Sequence, residues 1–264
     1  MEQNHKTVKV EELTNHILLI TLNRPEASNA FNTLMAEELT ELFEDLTLNP
    51  NDRRVLILTG SGDRAFCAGG DLKERNGMTD AQWVKQHLVY EKMARTIIEC
   101  PIPTIGAING AAYGGGCELV AMLDFVYISE NAKFAQTEVK LGIIPGAGGT
   151  QTLARAVGER RAKEIILTGK TFNAIQAHEW GLANAVFSIS ELIPAALETA
   201  KLIAKNAPIA VRQAKQSIHK GLQMSLSDGM SFEIEAYNRT VPTKDRSEGV
   251  AAFNEKRPPN FKGH

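Results

Sequence analysis

Apolar residues come along this chain in two rhythms, and the change from one to the other divides it. In the earlier part, short apolar runs stop at turn residues: "HILLITLNRP" reads as a strand ended by Pro25, and "VLILTGSG" as a second strand ended by a glycine-bearing turn. Between them, "TLMAEELTELFEDL" carries Met35, Leu39, Leu42, Phe43 and Leu46 at helical spacing, which predicts an amphipathic helix with one buried stripe. "TIGAI" and "FVYIS" are further short strands. "TDAQ" (Thr79 to Gln82) has the form of a capping box and predicts a long helix to about Cys100, where Pro101 and Pro103 stop it. Strands alternating with helices predict an α/β core with crossover connections.

From about Thr171 the strand signal fades. Leu192, Ala196 and Ile203 mark one helix, Pro208 suits the first turn of the next, and Leu226, Met230, Ile234 and Tyr237 line another. The last part therefore reads as a helical appendage. No tandem repeat of fixed period and no low-complexity segment stands out. The closing "EKRPPNFKGH" is basic and proline-bearing, which by composition suggests a solvated tail.

At 264 residues the chain can bury a large core. Its 29 Lys+Arg against 31 Asp+Glu leave a net charge of -2, which gives no electrostatic reason to expect nucleic acid. Cys67, Cys100 and Cys117 are odd in number and widely spaced, so they suggest reduced thiols and a cytoplasmic location. No apolar run approaches the length of a membrane span, and the first residues lack the apolar core of a signal peptide, so a soluble protein is expected.

Several motifs fail on inspection. Gly169-Lys170-Thr171 resembles the end of a phosphate loop, but its first glycine would fall at Glu164. A dinucleotide fingerprint starting at Gly114 would need a small residue at Leu119. There is no G-x-S-x-G elbow, and the six histidines have no metal-ligand spacing, so neither a metal nor a redox cofactor is expected. Cys117 has no histidine near it in sequence and reads as a small buried thiol.

Two glycine-bearing turns remain. "NGAAYGGGCELVAMLD" sets Gly114, Gly115 and Gly116 before an apolar helix, and "RAFCAGGDLKER" sets Ala68, Gly69 and Gly70 after a strand. Alone, either turn suits tight strand-to-helix packing. Together they can aim two backbone N–H groups at one developing oxyanion. Glu118 sits among Leu119, Val120, Met122 and Leu123, a setting that raises a carboxyl pKa toward the working range of a general acid or base. Glu138 follows in "FAQTEVKLGIIPGAGGTQ".

Taken together, "LNRPEASNAFN", "AFCAGGDLKE", "NGAAYGGGCELVAMLD", "EVKLGIIPGAGGTQ" and "FNEKRPPNFK" closely resemble the enoyl-CoA hydratase/isomerase, or crotonase, family over nearly the whole chain. "TVPTKDRSEGVAAFNEKRPP" is most similar to the 3-methylglutaconyl-CoA hydratase branch. The resemblance implies a spiral of ββα units over residues 1–200 that carries the active site, and a helical region over 201–264 that builds homotrimers or hexamers. It implies an oxyanion hole from the Gly70 and Gly115 amides, with Glu118 and Glu138 as the catalytic acids. Ala68, Gly70, Asp71, Leu72, Lys73 and Gly115 would meet an acyl-CoA thioester, and Phe253 and Lys256 would reach the CoA of a neighbouring subunit. That last role replaces the solvated-tail reading. CoA enters as part of the substrate, so no separate cofactor is implied.

Many hydratases have Ala in place of Gly70, which leaves the backbone donor in place. Glu26 stands where many relatives have Lys, so no phosphate contact is expected there; Arg24 suits either a supporting role or a surface ion pair. Retention of both glutamates favours hydration over the isomerisation, hydrolysis, dehalogenation and decarboxylation of other relatives. A non-catalytic acyl-CoA-binding module would not need the acid pair. The acyl pocket is expected between Arg75 and Met93 and at the helical tail, with Lys73, Arg75, Lys85 and Lys92 as cations available to an acidic substrate.

Overall fold

The computed structural model describes residues 5–264, and their strands sort into two sheets. The larger has six strands in the order β1 (Val8–Thr14), β2 (Ile17–Leu22), β3 (Val55–Gly60), β5 (Thr104–Ile108), β7 (Phe125–Ser129) and β10 (Ala185–Phe187). The smaller comprises β4 (Ala65–Cys67), β6 (Ala111–Tyr113), β8 (Lys133–Ala135) and β9 (Phe172–Asn173). Only the outer pairs, β1 with β2 and β9 with β8, run antiparallel. The chain visits the large sheet, then the small one, then a helix: β3, β4 and α2 (Leu72–Arg75) with α3 (Asp80–Glu99), then β5, β6 and α4 (Gly115–Ala121). β7 and β8 lead on to α5 (Gly149–Val157) and α6 (Glu159–Thr168). These stacked ββα turns form the crotonase-like α/β spiral.

The predicted elements form for the predicted reasons. β3 is buried along its whole length, as a parallel strand covered on both faces requires. Asn32 caps α1 (Thr33–Leu48) by accepting from Met35 N at 3.0 Å, and the expected stripe from Met35 to Leu46 is buried. The capping box at Thr79 also forms: its N–H donates to Gln82 Oε1 at 2.8 Å, and its hydroxyl accepts from Gln82 N at 3.3 Å. β1 was not legible because it is an edge strand whose Lys9, Glu11 and Glu12 face solvent.

After α7 (Ala174–Glu179), α8 (Ile189–Ala204) covers the second face of the large sheet, packing Leu192, Ala196, Ala200 and Ala204 against Ile17, Val55, Ile57 and Ile105. The expected boundary after residue 200 therefore falls inside α8. α9 (Pro208–Gly221), α10 (Leu226–Asn238) and α11 (Lys244–Glu255) follow, with Pro208 in the first turn of α9 as predicted. The final residues fold back. Phe261 O accepts from Arg54 Nη2 at 3.0 Å, and Asp245 accepts from the amides of Lys262 and Gly263 at 2.7 and 2.8 Å.

Gly116 shows how tightly α4 meets the small sheet. A Cβ there would lie 2.0 Å from Cys67 O and 2.8 Å from its carbonyl carbon. Gly116→Ala should lower stability by about 3 kcal/mol or more, a fall in Tm of roughly 6 °C or more in a chain of this size. Thermal denaturation checks this; a melt matching the parent protein would contradict the close approach.

Candidate active site

Parallel strands end at the same edge of a sheet, and β4, β6 and β8 are parallel neighbours. The turns that follow them, at Gly69–Gly70, Gly114–Gly115 and Gln136–Glu138, therefore emerge side by side at the carboxyl ends of the strands, where α/β folds place ligands. Phe31 orients the first turn: its N–H donates to Gly69 O and its C=O accepts from Asp71 N, both at 2.9 Å. That pairing turns the N–H of Gly70 away from Phe31. Gly115 is the first residue of α4, so its N–H has no partner within the helix. A Cβ built on Gly69 would lie 3.1 Å from Gly115 N, and one on Gly115 would lie 3.6 Å from Gly70 N. The two backbone nitrogens thus lie close together in one cavity wall, and a side chain at 115 would strike the Phe31 ring at 2.4 Å. Gly114, at φ +51°, makes the sharp entry that a side chain would resist.

Both acids line the same cavity as those amides, Glu118 at 3% and Glu138 at 8% exposure. Glu118 Oε1 accepts from Ala147 N and Gly149 N, both at 2.8 Å, so the glycine-rich turn after Glu138 clamps the first acid. Gly149 has to be small, since a Cβ there would sit 2.7 Å from Glu118 Cγ. Glu138 Oε1 accepts from Gln136 Nε2 at 3.0 Å, and the same nitrogen donates to Gly114 O at 3.1 Å. Glu138 Oε2 is buried with no partner among the described residues. Burial raises the pKa of both acids. For Glu118 it does so from the ordinary 4.5 to about 7, with the charge of Glu138 adding to it and the amides of Gly149, Ala147 and Gly146 opposing it. For Glu138, burial outweighs its amide and Gln136 hydrogen bonds.

A cavity of about 640 Å³ opens over this group. Its walls include Ala68, Gly70, Leu72, Gly115, Glu118 and Glu138, which brings most of the predicted residues together. Arg75, Trp83, Val84, His87, Leu88 and Tyr90 form the wall expected from the segment between Arg75 and Met93. The helical tail, also expected there, contributes no lining residue within one chain; the wall runs from Phe31 to Ala147. Asp71, expected to meet the substrate, instead caps α2, accepting from Lys73 N at 3.0 Å and pairing with Arg24 Nη2 at 2.9 Å. Burial pushes its carboxyl up, but the Arg24 guanidinium and the helix-start amides outweigh this and hold it below the usual range. Arg24 is thus an internal strut, also donating to Ala30 O at 2.6 Å. Lys73 is exposed and lies outside the lining, as do Phe253 in α11 and Lys256 just after it.

Cys117 is fully buried, and burial with two acid neighbours pushes its thiol pKa up, which fits an inert core thiol. The clamp at Ala147 and Gly149 and the Gln136 tether were not found from the sequence. The third glycine turn was the available signal for the clamp; nothing local marks Gln136.

A spiral of ββα turns that holds two buried acids under a pair of main-chain amides defines a crotonase-type protein. Residues 12–264 match the Enoyl-CoA hydratase/isomerase family. The chain is 46% identical to YngF of Bacillus subtilis (strain 168), which bears an enoyl-CoA hydratase/isomerase name, over 97% of each protein. It is 39% identical to the short-chain-enoyl-CoA hydratase of Clostridium acetobutylicum, again over 97% of each. The crystal structure of enoyl-CoA hydratase from Bacillus anthracis matches with a TM-score of 0.95 at 44% identity, covering 98% of this chain and 100% of that one. The chain belongs to the enoyl-CoA hydratase/isomerase family.

The raised pKa of Glu118 makes stability depend on pH. The folded state holds this proton up to about pH 7, whereas the unfolded chain releases it near 4.5. The stabilisation is full below the lower value and is lost as pH rises through the upper one. Glu118→Gln should therefore gain roughly 3 kcal/mol on the parent protein between about pH 4.5 and 7.5. Urea unfolding across that range measures the difference, and a constant difference would mean that Glu118 titrates normally.

Proposed function

We propose that this protein is an enoyl-CoA hydratase that adds water reversibly across the 2,3 double bond of an enoyl-CoA thioester. The observation that carries this reading is the pair of buried acids, Glu118 and Glu138, in one cavity with the amides of Gly70 and Gly115, which have no partner among the described residues. The thioester oxygen would accept from both amides, and Ala68 and Leu72 would line the approach of the CoA. Glu118 takes a proton from water as the oxygen bonds to C3. The double-bond electrons move onto the thioester oxygen, where the amides stabilise the enolate charge without rearranging. Glu138 then delivers a proton to C2. Two acids in one desolvated slot resist double ionisation, so a single shared proton lets each act as acid in one direction and base in the other. No step of this reading is routed through a metal.

The finer assignment is to 3-methylglutaconyl-CoA hydration, supported by the likeness of "TVPTKDRSEGVAAFNEKRPP" to that branch. Residues 1–200 would carry the chemistry and 201–264 the assembly. Supporting assembly, Leu226, Met230, Ile234 and Tyr237 share one face of α10 and are 82%, 61%, 55% and 63% exposed in the single chain. We read that face as part of a homotrimer contact, with trimers free to pair into hexamers. In such an assembly Phe253, 84% exposed, and Lys256 would meet a neighbouring subunit's CoA. Among the described residues no helix is long and apolar enough to cross a membrane, and a cytoplasmic setting fits the buried free thiols.

Purified protein should consume crotonyl-CoA or 3-methylglutaconyl-CoA, followed as loss of the conjugated thioester's ultraviolet absorbance. Glu118→Gln and Glu138→Gln should each lower kcat by roughly 10²-fold or more while CoA-ester binding persists; near-parental rates in both would refute the mechanism. Sedimentation should give a trimer or hexamer, and the double variant Met230→Glu, Ile234→Glu should shift it toward monomer. A parent protein that sediments as a monomer would rule the assembly out.

A further inference from the structure

Arg75 closes α2 and lines the cavity that holds Glu118 and Glu138. Three contacts fix its guanidinium. Nε donates to Gln86 Oε1 at 2.8 Å, and the group lies 4.1 Å from the Trp83 ring centroid and 4.9 Å from that of Tyr90. Gln86 is buried and is itself held, its Nε2 donating to Thr33 Oγ1 at 2.9 Å and to Glu74 Oε2 at 2.8 Å. The neighbouring Glu74 carboxylate does not take the arginine: its Oε2 accepts from Thr33 N, Gln86 Nε2 and Tyr90 Oη. Among the described residues no acceptor meets Nη1 or Nη2. A planar fork of donors is thus oriented in advance by stacking and one hydrogen bond, with its outer nitrogens unpaired in a largely apolar cavity.

Such a fork suits a carboxylate, which can accept two parallel hydrogen bonds from it. A neutral acyl tail would leave those donors unpaired, whereas an acidic tail would enter the cavity unfavourably without a cation to meet it. Neighbouring cations do not compete. Lys73, Lys85 and Lys92 are exposed and none lines the cavity, and Lys92 pairs with Glu44 at 2.9 Å. We propose that Arg75 reads the far end of the acyl chain and selects enoyl-CoA thioesters whose acyl group ends in a carboxylate. The turnover measurement below rests on the hydratase reading; the binding measurement does not.

The test compares the parent protein with Arg75→Met and Arg75→Lys. For turnover, kcat/KM is measured with 3-methylglutaconyl-CoA and with crotonyl-CoA. The ratio of acidic to neutral substrate should favour the acidic one in the parent protein and fall about 30-fold or more in Arg75→Met. Arg75→Lys, which keeps the charge but not the fork, should fall between them. For binding, calorimetry compares glutaryl-CoA with butyryl-CoA, neither of which has a double bond to hydrate. The parent protein should prefer glutaryl-CoA, and Arg75→Met should lose the preference. If no enoyl-CoA is turned over but the glutaryl preference holds and depends on Arg75, the hydratase reading fails and the arginine assignment stands. Ratios that move less than about threefold between parent and variants overturn the assignment. That holds whether both ligands weaken together, as a CoA-phosphate contact or a purely structural arginine would cause, or neither weakens. Absence of an acidic preference in the parent protein overturns it as well. Should Arg75→Met fail to fold, Arg75→Lys carries the same comparison.

Discussion

The alignment of three strands of three residues each, β4, β6 and β8, is the constraint on which the rest of the site depends. Cys67 pairs with Ala112, Ala112 with Phe134, and Tyr113 with Ala135. So short a ladder contributes little stability by itself. Its effect is geometric: parallel neighbours release the chain on one edge, so three turns from distant parts of the sequence come out together. The ladder is kept in place from behind by Phe66 and Phe134, both fully buried, and by Gly116 pressed on the Cys67 carbonyl. Glycine is required where backbone must touch backbone, and the same close approach brings the Gly70 and Gly115 nitrogens, which have no partner among the described residues, into one cavity wall.

The electrostatics follow from that geometry. Two carboxyl groups are taken out of water in one place, which favours their neutral forms. The structure answers with amides rather than cations: Ala147 and Gly149 hold Glu118, and Gln136 holds Glu138. Neutral donors orient an acid without pinning it in the charged state, as a lysine or arginine would. The nearby arginines are placed elsewhere, Arg24 on Asp71 and Arg75 in the cavity wall beside Trp83 and Tyr90. The site thus raises the pKa of both acids, at the expense of stability where they ionise, a common exchange in proteins that do chemistry.

The C-terminal helices are built differently. α8 belongs to the core, but α9 and α10 form a hairpin joined by the close approach of Gly221 and Gly229, where a Cβ on Gly229 would lie 3.2 Å from Gly221 O. Leu226, Met230, Ile234 and Tyr237 of α10 remain exposed in the single chain, and the proposed assembly would cover them. The tail beyond α11 is no loose end, because Asp245 and Arg54 secure it through its main chain.

The sequence alone determined the elements whose side-chain period is strong: β2, β3, β5, β7, α1, α3, α8, α9 and α10. It also exposed the two glycine turns and Glu118, because glycine clusters at a turn and a carboxylate inside an apolar run are local anomalies that need no partner to be seen, whereas Glu138, in a mixed segment, gained its role from the family resemblance. It did not show the spiral repeat. The large-sheet strands that open successive turns begin at residues 55, 104 and 125, so structural repetition leaves no fixed period. Strands of three residues are too short to show alternation, and β4, β6 and β8 went unseen for that reason. Asp71 was grouped with the expected substrate contacts because it lies among them in sequence, and only the tertiary structure shows its carboxylate held by Arg24 across the turn. Choosing Arg75 among four cations likewise required the tertiary structure, since which side chain faces a cavity depends on elements that lie far apart along the chain.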